Sequence, residues 1–259
     1  MRYLLCLLAC FASVVFVPAQ NADVVTWRVG DIHREGLVRA PVGANEKPVP
    51  LVFVFHGHGG SMRQAARSQP VHTLWPEALV VYLQGLPTPG RLTDPEGRRS
   101  GWQGGPGDQG DRDLAFVDVV LADLRGKYRI DLQRIYATGH SNGGSFTYLL
   151  WAKRRDLFAA FGPSAAIAGR DYGILAPAPV IHIAGESDGL VKFSWQQQMI
   201  ERLLRNHKCG PGEPRGEGLT HHPSPLNAPV LTYLHPGGHR YPAEATALIV
   251  EFFKAHPRR

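Results

Sequence analysis

Cysteine is nearly missing from this chain: it holds three in 259 residues, and two of them, Cys6 and Cys10, fall in the first ten positions. If those positions belong to a leader, Cys209 stands alone, no intramolecular disulfide can form, and the fold must rest on its core. Beyond residue 20 no apolar run is long enough for a membrane-spanning helix, so no stable membrane insertion is expected once a leader is removed. Blocks of like charge, internal repeats and low-complexity tracts are also lacking, which argues against a charged tail, a solenoid and a linker between domains. The formal charge is +6, of which Arg2 contributes one. The positive charge is spread along the chain and belongs to no recognisable nucleic-acid-binding module, so nucleic acid is not an expected partner.

What is present begins with "MRYLLCLLACFASVVFVPAQ", one arginine ahead of an apolar stretch that ends in small residues. That layout predicts a signal peptide over residues 1–19, cut after Ala19, and a secreted or periplasmic protein. An uncleaved anchor and lipidation at Cys10 are the alternatives. With 44% hydrophobic residues, the remaining 20–259 can bury a sizeable core and reads as a single domain.

The order of elements predicts an α/β fold. "VVTWRV" and "EGLVRAP" read as an opening antiparallel hairpin. "PLVFVFHG" and "EALVVYLQG" are continuously apolar, as suits central strands covered on both faces. A loop rich in Gly, Pro, Arg and Asp follows to about Gly110; at that length a functional role is expected. Asp113 is read as the cap of a helix carrying Leu114, Val117, Leu121 and Leu124 at helical spacing. "RIYAT" is a strand, "NGGSFTYLLWAKRR" a helix, and "FAAFGPSAAIAG", "APVIHIAGESD" and "PVLTYLHPGGH" are three more strand-then-loop units. A helix over about 193–207, a loop through Ala228 and a last helix over 243–254 complete a mostly parallel central sheet with helices on both faces.

Within this order, Gly139-His140-Ser141-Asn142-Gly143 is G-x-S-x-G between a strand and a helix, the setting of a nucleophile elbow. Glycines flank the serine because side chains there would collide across a tight turn. The helix that follows aims its first N–H groups at the site where an oxyanion would form. A serine nucleophile needs a base and an orienting acid, in chain order Ser, acid, His. Asp188, after the strand "PVIHIAG", is the first choice of acid, with Glu186 and Asp171 as competitors. For the base, His239, past a Pro-Gly-Gly turn, is preferred to His235. The turn His56-Gly57-His58-Gly59-Gly60 is of the kind that supplies a second oxyanion donor, so the backbone N–H of His58 is paired with that of Asn142. A metal pair His56-x-His58, extended by His221 and His222, is the weaker reading of the same turn, and no metal is assigned.

These stretches, with "GWQGGPGDQGDRDLAFVDVVLADLRGKYRIDLQRIYATGHSNGG" and "GESDGLV", resemble extracellular α/β-hydrolase esterases of the polyhydroxybutyrate depolymerase, feruloyl esterase and acetylxylan esterase group. The resemblance spans most of the chain after the leader. It implies triad roles for Ser141, Asp188 and His239, and a place for Trp102 in a loop bordering the acyl pocket, where it would bind substrate. A loop anchor filling a hydrophobic notch is the other reading of Trp102. Arg91, Arg98 and Arg99 read as solvated, with an anion-holding role as the alternative. The expectation is a cofactor-free serine hydrolase acting on small-molecule or polysaccharide-linked esters of feruloyl, acetyl or hydroxyalkanoate type. A serine peptidase or acyltransferase on the same fold, and a catalytically silent envelope-binding module, are the rivals.

Overall fold

A computed structural model describes residues 22–169, 172–173 and 175–258. The expected leader over residues 1–19, and Asp171, lie outside the described residues.

Strands β1 (Ala22–Val29) and β2 (Ile32–Arg39) form the expected antiparallel hairpin, turning at Gly30 with φ +58°. Strand β3 (Val49–Phe55) is buried along its whole length. Its alternation decides which side chain serves which face. Leu51, Phe53 and Phe55 enter one core, and Val52 and Val54 enter the other. Helices α1 (Met62–Ser68) and α2 (Val71–Leu74) lead to β4 (Leu79–Leu83), which alternates in the same way. Each such Val, Leu or Phe contributes on the order of 1.5–3 kcal/mol by burial.

The long loop is pinched by a two-stranded ribbon, β5 (Leu86–Pro87) with β6 (Ser100–Gly101), before α3 (Arg112–Lys127). Then come β7 (Ile130–His140), α4 (Asn142–Arg154), β8 (Ala160–Ser164), β9 (Val180–Gly185) and α5 (Phe193–Asn206). The chain ends in β10 (Glu213–Gly216), β11 (Leu219–His222), β12 (Val230–His235) and α6 (Ala245–Ala255).

The ten-stranded sheet runs β1-β2-β4-β3-β7-β8-β9-β12-β11-β10. The six from β4 to β12 are parallel, and an antiparallel hairpin closes each end. Helices α3, α4 and α5 pack into one core, and α1, α2 and α6 into the other. Among the described residues no helix is long and apolar enough to cross a membrane.

Two expectations need correction. The segment read as a loop up to Ala228 contains the β10–β11 hairpin; its strands are short and polar, and their pairing depends on β12 offering an open edge. Asp113 is not a helix cap. It is fully buried, its carboxylate 2.8 Å from the equally buried Arg34 guanidinium, and it accepts the Gln103 N–H at 2.8 Å. The cap position belongs to Asp111, whose side chain makes no capping bond. An acidic residue in a first turn looks the same in sequence whichever task it serves.

Candidate active site

The site gathers where the parallel strands release their C-terminal ends, the edge at which α/β sheets collect ligands. Strand β7 stops at His140, and Ser141 takes φ 57° and ψ −121°, a left-handed region in which side-chain-bearing residues are strained. Two close approaches explain the flanking glycines. A Cβ on Gly139 would stand 2.5 Å from the Gly143 carbonyl oxygen, and one on Gly143 would stand 2.4 Å from that of Phe55. Helix α4 begins directly after the serine, so its N-terminal dipole faces the Ser141 side chain.

From β9 comes Asp188, three residues past the strand and buried, and from β12 comes His239, four residues past its strand. The Ser141 hydroxyl lies 2.7 Å from His239 Nε2, and His239 Nδ1 lies 2.8 Å from Asp188 Oδ2. The direction that fits all three has Ser141 donating to Nε2 and Nδ1–H donating to the carboxylate. Asp188 Oδ1 accepts the N–H groups of Leu190 and Val191 at 2.9 and 3.0 Å. The competitors stand elsewhere: the Glu186 side chain is exposed, and His235 Nδ1 accepts the Gly237 N–H at 3.2 Å.

After β3, His56 is locked by its own turn. Its Nδ1–H donates to Gly57 O at 2.8 Å, and Nε2 accepts the Gly85 N–H at 2.9 Å. Burial lowers its pKa, so the neutral ring that this pairing requires is the favoured one. His58 Nε2–H donates to Asp94 Oδ2 at 3.0 Å. The Asp94 carboxyl is held down at about 2, first by that bond and then by the Arg99 N–H. Among the described residues, the backbone N–H groups of His58 and Asn142 donate to no partner. Both His56 and His58 are thus occupied, and His221 and His222 lie in β11, five strands along the sheet from β3. The four histidines do not converge as metal ligands.

Trp102 corrects an expectation. It is fully buried, its Nε1–H donates to His56 O at 2.9 Å, and its ring stacks on Phe146 and meets Phe55 edge-on. It lines no part of the cleft and anchors the loop from beneath. The cleft, about 280 Å³, opens over Ser141 and His239 between His58, Thr93, Arg99, Leu190 and Tyr241. Arg99 lies across Gly59 with its NH2 donating to Thr93 O at 2.8 Å; it borders the cleft while its side chain stays solvent-exposed, as the sequence suggested.

Three supporting side chains carried no sequence signal. The Asn142 amide clamps Trp102 on both sides, Oδ1 accepting its N–H at 2.7 Å and Nδ2 donating to its carbonyl at 3.1 Å. His140 donates from Nε2 to His239 O at 3.0 Å and accepts from the Ser164 hydroxyl at 3.2 Å. Burial, and next the neighbouring His239, push the His140 pKa down to about 4, so it stays neutral beside His239. Gln196 in α5 donates to Asp188 Oδ2 at 3.1 Å. His140 and Asn142 occupy the two open positions of the G-x-S-x-G pattern, which leaves their side chains unspecified, and Gln196 is brought to Asp188 by packing.

No family model matches the chain. Feruloyl esterase D of Neurospora crassa is 27% identical over 202 residues, covering 74% of this chain; the chain spans 66% of that relative, just under two thirds of its length. The bifunctional acetylxylan esterase/xylanase XynS20E of Neocallimastix patriciarum is 29% identical over 102 residues, 39% of this chain and 14% of that protein. The solved acetyl xylan esterase from Aspergillus awamori superposes with a TM-score of 0.69 over 90% of this chain and 99% of its own, at 12% identity. With a mostly parallel sheet between two helical layers and an opening antiparallel hairpin, the chain has the α/β-hydrolase fold, and it is similar in sequence to feruloyl and acetylxylan esterases.

Proposed function

We propose that this protein is a carboxylic ester hydrolase that works through a serine acyl-enzyme and needs no cofactor. The observation that carries the reading is the unbroken hydrogen-bond series Ser141 Oγ, His239 Nε2, His239 Nδ1, Asp188 Oδ2, with both links under 3 Å. Named esterases among the relatives support the same chemistry.

In the proposed reaction Ser141 Oγ attacks the ester carbonyl as its proton passes to His239 Nε2. The imidazolium is stabilised by Asp188. The tetrahedral oxyanion takes the free N–H groups of His58 and Asn142, and its collapse expels the alcohol, which leaves with the His239 proton. Water then repeats the sequence against the acyl-enzyme. Losing one oxyanion donor in such sites costs about 10²–10³ in turnover, so both N–H groups matter.

The acyl group is proposed to be of feruloyl, acetyl or hydroxyalkanoate type, with the enzyme acting outside the cytoplasm after loss of residues 1–19. Release of ferulate, acetate and 3-hydroxybutyrate from matched esters, set against cleavage of aminoacyl amides, separates these substrates from a peptidase. The deciding experiment is fluorophosphonate labelling of the folded protein with mass-mapping of the adduct. The label is expected on Ser141 and absent from Ser141→Ala. A folded wild type that takes no label, or carries it on another serine, sinks the reading.

A further inference from the structure

Asp188 Oδ2 receives two donors, His239 Nδ1–H at 2.8 Å and the Gln196 amide at 3.1 Å. Gln196 is fully buried in α5, and its Nε2 also donates to Val191 O at 2.8 Å. Those two contacts leave Gln196 Oε1 facing away from the carboxylate. Its neighbour there is His182, on β9 and fully buried. Among the described residues neither Gln196 Oε1 nor His182 Nε2 has a hydrogen-bond partner, so a buried acceptor and a buried ring nitrogen are left open on neighbouring side chains. His182 Nδ1 lies 2.7 Å from the hydroxyl of Tyr148, buried in α4.

One assignment of protons is consistent along the whole line. The Tyr148 hydroxyl donates to His182 Nδ1, which leaves the proton on Nε2. An N–H there complements the open acceptor Gln196 Oε1, and the amide must then present its N–H to Asp188. An amide flipped the other way would set oxygen against carboxylate and against the Val191 carbonyl. Resting on the proposed ester hydrolase, we infer that Gln196 is a positioning residue for the triad acid, held in its productive orientation by His182 and Tyr148.

The chemical effect is on the charge of Asp188. A carboxylate that shares its electron density among several donors is less basic and attracts the His239 imidazolium less strongly. Removing the Gln196 donor returns that density to Oδ2, and the base should then hold its proton to higher pH. The other titratable groups facing this region are His140 on β7, His182 on β9, and His235 on β12, near Glu186 and Glu244. Burial keeps the three imidazoles uncharged around neutrality, and the two glutamates border His235, so none of them supplies the missing donor.

Gln196→Met removes the amide at similar length, and Gln196→Glu replaces it isosterically with a second carboxylate. The readout is kcat/KM against pH for a neutral p-nitrophenyl ester, with Tm alongside. Expected are a fall in kcat of about tenfold with little change in KM, and an acid-limb midpoint raised by roughly 0.5 in the Met variant and more in the Glu variant. Both variants folded, with the wild-type midpoint retained, would overturn the inference and make Gln196 a packing residue. Loss of the fold in both would overturn it as well. Failure of the wild type itself to hydrolyse the ester or take the fluorophosphonate label would instead refute the underlying reading of the site.

Discussion

The guanidinium of Arg34 and the carboxylate of Asp113 meet at 2.8 Å with no solvent exposure on either side chain. They join the opening hairpin to the start of α3. Arg34 also lies over the Phe116 ring, 4.2 Å from its centroid. The pair reaches the site indirectly, because Asp113 accepts Gln103 N–H and Gln103 Oε1 accepts the N–H groups of Asp113 and Leu114. Next to Gln103 is Trp102, which Asn142 clamps.

Asp113→Asn should therefore destabilise the protein by about 3–5 kcal/mol, because it leaves the Arg34 charge buried without a counterion. Burial already lowers the Arg34 pKa, and Asp113 is what opposes that. The double change Arg34→Met with Asp113→Leu removes both charges and should recover most of the loss. Urea unfolding of the three forms checks this; a cost below about 1 kcal/mol for Asp113→Asn would contradict it.

Glycine substitutions separate the elbow from the rest of the fold. Gly143→Ala sets a methyl 2.4 Å from a backbone oxygen that cannot yield, so folding and fluorophosphonate labelling should both fail or fall steeply. Gly126→Ala, on the exposed side of α3 with nothing within 4 Å of the added methyl, should stabilise by about 0.5–1 kcal/mol. Thermal melts of the two variants should move in opposite directions.

Much of this was legible in the sequence because the residues concerned obey local rules. The central strands alternate or run apolar, and the elbow has a local signature, glycines on either side of Ser141. Asp188 and His239 could be proposed from chain order and from the turns that follow their strands. Trp102 could not be placed, because an aromatic in a glycine-rich loop can face either the cleft or the core, and the choice depends on Phe55, Phe146 and His56 arriving from β3 and α4. The same holds for Gln196, His140 and Asp94, whose partners lie 8, 99 and 36 residues away. The β10–β11 hairpin was hidden for another reason: its burial is too slight to impose an apolar alternation.

Stability should fall as pH drops below neutrality. His140 and His182 are both pushed by burial to about 4 in the folded state, while in the unfolded chain such a group titrates near 6.5. Between those values the unfolded state binds more protons, so each imidazole favours the fold at pH 7 and loses that contribution as pH falls through the window. At pH 5 the loss is on the order of 2 kcal/mol per imidazole. Urea midpoints at pH 7 and pH 5 test it, and an unchanged midpoint would refute the neutral burial of these rings.

The turn that presents the His58 N–H is tied to the long loop by side chain and backbone. The His58 ring fits where Cβ atoms on Gly90 and Gly101 would come within 2.8 and 2.6 Å of it, and its Nε2–H reaches Asp94. Asp94 also accepts Arg99 N–H at 2.8 Å, while Gly59 N–H donates to Ser100 O at 2.7 Å, so loop and turn are fastened twice. Because the carboxyl stays ionised down to about 2, the fastening persists across the working pH range. Asp94→Ala removes it without touching any backbone N–H. If that turn supplies an oxyanion donor, misplacing it weakens transition-state binding more than ground-state binding, so kcat should fall by about 10- to 100-fold with KM little changed. Asp94→Asn, which keeps an acceptor but loses the charge, should fall between that variant and the wild type. The same kcat in all three forms, each carrying the Ser141 label, would remove the His58 turn from the catalytic machinery.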